Sequence, residues 1–98
     1  MQHSYEMMYI VRPDVDEETL QATREKVAQT IKANKGEITD TDDMGKRRFA
    51  YEINHYREGY YTVVNFQADA EVIDELDYTI RINDNILRHL IINVDEKK

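Results

Sequence analysis

Two segments of helical period and four of alternating period follow one another in the order β-α-β-β-α-β, and few folds accept that order. Tyr5 to Val11 alternates, with Tyr5, Met7, Tyr9 and Val11 on one side and Glu6, Met8 and Ile10 on the other. Both sides are largely apolar, which predicts a central strand covered twice. Arg12-Pro13-Asp14 ends it, because proline cannot donate to a sheet ladder. Asp14 or Asp16 then caps a helix running to about Asn34. Its stripe is Leu20, Val27 and Ile31, filled in by Thr23 and Ala28. Gly36 is the expected left-handed stop. Glu37 to Ile53 is extended again, with a bulge expected at Met44-Gly45. A polar turn over 54–59 leads to a strand over Tyr60 to Gln67. Asp69 caps a second helix to about Ile80, striped by Val72, Ile73, Leu76 and Ile80. Ile86 to Val94 closes the pattern, and the tail over 95–98 reads as solvated.

This arrangement is an α+β, ferredoxin-like β-α-β-β-α-β fold over residues 1–98, one domain with a four-stranded antiparallel sheet. Both helices lie on one face of that sheet, so the chain supplies no cover for the other face. The open face collects Met8 and Ile10 from the first strand and Tyr61 and Val63 from the third. The last strand adds either Leu90 with Ile92 or Ile91 with Leu87. An apolar patch contributed by several strands marks an interaction surface.

The chemistry that the chain can carry is narrow. It has no cysteine, hence no disulfide framework or thiolate metal site. The start, Met-Gln-His-Ser, lacks a signal-peptide pattern, and the longest apolar run, Leu90-Ile91-Ile92, is far too short to span a bilayer. Asp40 to Gly45 opens like a calcium loop, but Met44 and Tyr51 stand where oxygen ligands are required. His3, His55 and His89 have no ligand spacing. His89 is expected in the sheet with a satisfied ring, and His3 and His55 at the surface. Ser4 is the only serine, and Gly36, Gly45 and Gly59 are too dispersed for a phosphate loop. The expectation is a protein that is not an enzyme, with no cofactor, no metal and no small-molecule substrate.

What remains is "GKRRFAYEIN", residues 45–54. Within 44–61, four cations (Lys46, Arg47, Arg48, Arg57) face two carboxylates, Glu52 and Glu58, in a chain of net charge -7. Phosphate binding depends on local cations, so an acidic protein can still hold RNA by one edge. Arg81 and Arg88 flank the Asn83-Asp84-Asn85 turn and extend the strip, and Tyr51 and Tyr61 offer flat faces for stacking on a base or an arginine. A charged strand that blocks edge-to-edge aggregation fits the same pattern equally well.

The chain resembles the bacterial small ribosomal subunit protein S-six family over essentially its full length. The resemblance rests on Tyr5-Glu6, Arg12-Pro13 and Gly45-Lys46-Arg47-Arg48-Phe49-Ala50-Tyr51. Further along it rests on Val72-Ile73-Asp74-Glu75-Leu76 and on Arg81-Ile82-Asn83-Asp84-Asn85-Ile86-Leu87-Arg88. It implies a structural constituent of the small ribosomal subunit, in the cytoplasm, that binds the central domain of 16S rRNA together with ribosomal protein S-eighteen. Lys46, Arg47, Arg48, Arg81 and Arg88 would contact phosphate, Tyr51 would stack, and Met8, Ile10, Tyr61 and Val63 would face the protein partner. Glu52 stands where the family usually has proline, and the first residues lack its usual arginine. The alternative is a homodimeric ferredoxin-like regulatory module that senses a small metabolite through the same face.

Overall fold

The computed structural model describes residues 2–95, so of the expected solvated tail only Asp95 can be placed. That residue is tied down: its carboxylate accepts the Ser4 N–H and pairs with His3, so His3 is not free at the surface. The anchoring extends the first strand, β1, back to Gln2, giving Gln2–Val11.

Helix α1 spans Glu17–Ala33, and of the two possible caps Asp16 is the one used. Its carboxylate accepts the Thr19 N–H at 2.8 Å. Glu17 and Glu18 add negative charge at the positive end of the helix. Leu20, Thr23, Val27 and Ile31 are buried at the expected spacing. At the other end, Lys35 N–H donates to Lys32 O at 3.0 Å and Gly36 N–H to Ile31 O at 2.8 Å, a Schellman closure. The left-handed residue is Lys35, at φ 64, rather than Gly36. Gly36 is required for space instead, since a Cβ there would lie 2.6 Å from Ile31 Cγ2.

Hydrogen bonds from Thr19, from its hydroxyl first and its N–H second, hold the Asp16 carboxyl below the usual carboxylate value. A lowered native pKa stabilises the fold above the unfolded-state pKa, and that gain is lost as pH falls through the native one. Asp16→Ala should therefore lower the thermal midpoint near neutral pH, with the gap to the parent closing in acid. Calorimetry against pH checks this; a gap of constant size would show that the carboxylate charge plays no part.

Strands β2 (Glu37–Ile53) and β3 (Tyr56–Asp69) form a hairpin longer than expected. Ile53 pairs with Tyr56, and only Asn54 and His55, at φ 48 and 72, make the turn. Two left-handed residues match the right-handed twist of the flanking strands. Gly59 therefore belongs to β3, not to the turn. A Cβ on it would lie 2.6 Å from Ile10 Cγ2 and 2.9 Å from Val11 O. The bulge falls where expected: the register shifts between Asp43 and Gly45, and Gly45 has φ 77.

The second helix also differs from expectation. Asp69 ends β3 and its side chain makes no cap hydrogen bond. A short 3-10 turn over Ala70–Val72 leads into α2, Ile73–Arg81. Leu76 and Ile80 are buried, while Val72 and Ile73 pack at the margin of the core. Strand β4 is Ile86–Asn93.

The sheet order is β2-β3-β1-β4, with every neighbouring pair antiparallel. Tyr5, Met7, Tyr9 and Val11 lie against α1 and α2, as the alternation requires, together with Val64 and Phe66 of β3. Tyr5 stacks on Phe66 at 5.6 Å. Each large apolar side chain buried here contributes roughly 1.5–3 kcal/mol of transfer free energy. The open choice in β4 is settled by register: Met8 pairs with Leu90, Glu6 with Ile92 and Ile10 with Arg88. Leu90, Ile92 and Arg88 thus join the open face, while Ile91 packs on the core. His89 lies on the helix side, with its ring 2.6 Å from the Asp77 carboxylate, satisfied as expected.

Candidate nucleic-acid and partner interface

The open face is built by register. Across it run Val63, Met8 and Leu90 in one row and Tyr61, Ile10 and Arg88 in the next. Leu90 and Ile92 are 52% and 43% exposed, and Met8, Tyr61 and Val63 are half-buried. Ile10 departs from its expected role. It is 4% exposed, because Gly59 lets the hairpin close on it. It can floor a binding site, but it offers a partner little surface.

The β2–β3 hairpin carries the cations. Arg57 lies 3.4 Å from Glu52, so the acid in the proline position neutralises one cation of the cluster. Lys46 is 4.0 Å from Glu58 and 5.3 Å from the centroid of the Tyr60 ring. Such exposed pairs are worth about 0–1 kcal/mol and yield readily to a phosphate. Arg47 donates from Nε to Met44 O at 3.1 Å, which braces it across the bulge and leaves its charge uncompensated. Among the described residues, Arg47, Arg48 and Arg88 have no carboxylate partner.

Arg48 and Arg88 meet at a cavity of about 260 Å³, although forty positions separate them in sequence. Tyr51, Tyr61, Ile10 and Met8 line it with them. Residues assigned to RNA and residues assigned to a protein partner therefore border one site. Phe49 lines it too and was missed by sequence reasoning; its ring lies 6.0 Å from that of Tyr61. The available signal was its alternation with Arg47 and Tyr51. Tyr51 is 71% exposed and does not pack into the hairpin. A second hollow, of about 270 Å³, lies on the other side of Arg88, against Leu90. Arg81 is not brought to this face. It sits in the last turn of α2, 4.0 Å from Asp77 and 5.9 Å from the Tyr78 ring centroid.

The acidic run is on the same strand, and one of its members, Asp43, ties the strand to the helix layer by binding Arg24 of α1 at 2.6 Å. Asp42 stands opposite Val63 across the hairpin. The open face thus has carboxylates at one end of β2 and cations at the other. No described helix is long and apolar enough to cross a membrane.

What this face offers is contact chemistry: apolar area, flat rings and guanidinium groups on a rigid sheet. The fold is the ferredoxin-like one of the α+β class, which many unrelated functions share. Comparison with known families makes the assignment particular. The family model described as Ribosomal protein S6 matches residues 4–93, and the chain belongs to that family, as a small-subunit ribosomal protein. The crystal structure of 30S ribosomal protein S6 from Thermotoga maritima is similar at 36% identity and a TM-score of 0.91, covering 95% of this chain and 88% of that one. Two more distant likenesses show the fold alone. The chemotaxis kinase CheA P2 domain, in a complex with the response regulator CheY from Thermotoga maritima, has a TM-score of 0.66 at 11% identity. That match covers 96% of this chain and 100% of that one. The C-terminal domain of MgtC from Mycobacterium tuberculosis has a TM-score of 0.64 at 10% identity, covering 98% and 92%.

Proposed function

We propose that the chain is a structural, non-catalytic subunit that binds the central domain of 16S rRNA together with ribosomal protein S-eighteen. The observation that carries this reading is the conjunction on one face: an apolar surface that the helices leave uncovered, edged by Arg47, Arg48 and Arg88 without internal carboxylate partners. Arginines held in internal pairs would have little to offer a phosphate, whereas these can release counterions contact by contact. Val63, Met8, Leu90 and Ile92 supply the protein-partner surface, and Tyr61 spans both parts. Lys46 adds a further cation. Arg81 reaches RNA only from the helix layer.

Sedimentation of the tagged chain through a sucrose gradient of cell extract tests the reading. It should travel with the small subunit, and depletion of S-eighteen should release it. The rival, a homodimeric metabolite sensor, requires self-association through the same face. A stable dimer in analytical ultracentrifugation, with no protein in the subunit peak, would favour that rival.

A further inference from the structure

The geometry points to a pocket for one unstacked RNA base at the hairpin end of the open face, an inference that rests on the RNA-binding reading above. The cavity of about 260 Å³ has rings on its walls, Phe49, Tyr51 and Tyr61, and the side chain of Ile10 in its floor. Its charged lining groups are Arg48 from β2 and Arg88 from β4, and no carboxylate lines it. Charge complementarity therefore calls for an anion, and the apolar, aromatic lining calls for a flat apolar body attached to that anion. A nucleotide in a single-stranded segment is both. A base in a duplex is not, because its faces are already stacked and its edges paired.

The rings have separate duties. Phe49 and Tyr61 lie 6.0 Å apart at an interplanar angle of 57°, so they form a fixed, tilted wall rather than an open stack. Tyr51 is 71% exposed and has no ring partner among the described residues, which leaves its face available to a base. Gly59 allows Ile10 and Phe49 to close beneath: a Cβ there would lie 2.6 Å from Ile10 and 3.1 Å from Phe49. The arginines stand on different strands and hold the flanking phosphates. The protein partner keeps the remainder of the face, Val63, Leu90 and Ile92.

The test compares two probes of equal charge on the full-length chain by NMR titration: a single-stranded hexaribonucleotide and an abasic strand with the same phosphates. The base-bearing strand should bind about tenfold more tightly and shift the ring signals of Phe49, Tyr51 and Tyr61. Tyr51→Ala, at an exposed position, should keep the fold and erase most of that difference. Arg48→Gln with Arg88→Gln should weaken both strands and flatten the salt dependence, yet keep the preference for bases. Equal binding of the two strands, with shifts confined to the cations, would overturn the pocket while leaving the proposed function intact. Ring shifts produced by S-eighteen but by neither strand would assign the cavity to the protein partner and overturn it. Binding of adenosine monophosphate that RNA cannot displace would make the site one for free nucleotides and overturn it too. Failure of the RNA-binding reading itself looks different: neither strand binds and no cation signal moves, even with S-eighteen present.

Discussion

Val63→Asp should leave the monomer folded and abolish capture of S-eighteen. Val63 lies at the centre of the open face, paired with Met8 on one side and Asp42 on the other. In the free monomer the new carboxylate keeps its water. The local cost is a less suitable strand residue and a like charge across the ladder, each at most about 1 kcal/mol. Under a docked partner the same carboxylate is dehydrated with no cation built to receive it, which costs several kcal/mol. Central, desolvated positions dominate interface energies, and losses there of about 2 kcal/mol or more are usual. Leu90→Asp, at an exposed site in the same row, provides a second variant with less risk to the fold. Co-purification and far-UV circular dichroism read both effects. Native spectra with full capture in both variants would move the partner to another surface, such as the edge of β2 or β4.

The side of the sheet that each residue takes is legible because alternation is a local property. Tyr5, Met7, Tyr9 and Val11 need only their spacing to share the helix side, and the structure buries all four. The bulge at Met44-Gly45 is legible for a similar reason, since a lone glycine in an extended run signals its own backbone. Other features depend on contacts that sequence does not display. Asn54-His55 turns without a glycine in its second position, so the turn expected from sequence runs too long, out to Gly59. Gly59 answers to Ile10, which reaches it across β1 and β3. Lys35 displaces Gly36 from the left-handed position because the helix closes one residue earlier than the glycine suggests. The site is less legible than the fold. Arg48 and Arg88 stand on the two outer strands of the order β2-β3-β1-β4, and the single cavity that both line is foretold by neither the periodicity nor the motif. Arg81, close to Arg88 in sequence, ends in the other layer because α2 finishes between them.

Charge reversal at Arg47 and Arg48 should produce the largest drop in RNA affinity. The chain is acidic as a whole, with a net charge of -7, so long-range attraction contributes little and the local cations themselves carry the binding. Arg57 and Glu52 cancel, and Lys46 is shared with Glu58, which leaves the two arginines as the uncompensated charge of the hairpin. Every phosphate that a cation no longer neutralises lowers the slope of log affinity against log salt by about 0.7 to 0.9. Taking away both arginines should therefore reduce the slope by roughly 1.4 to 1.8, and reversal adds repulsion. Affinity for a central-domain fragment of 16S rRNA, with S-eighteen present, should fall by about a hundredfold at low salt and by less as salt rises. Reversal also removes the bond from Arg47 Nε to Met44 O, which braces the bulge. The neutral pair Arg47→Gln and Arg48→Gln separates the two causes: a bracing role alone predicts equal weakening for both pairs at every salt concentration, and phosphate binding predicts a graded, salt-dependent series. Filter binding across a potassium chloride series makes the distinction. An unchanged slope in the reversed variant would remove both arginines from the RNA interface and leave Arg48's place in the cavity lining without a phosphate to explain it.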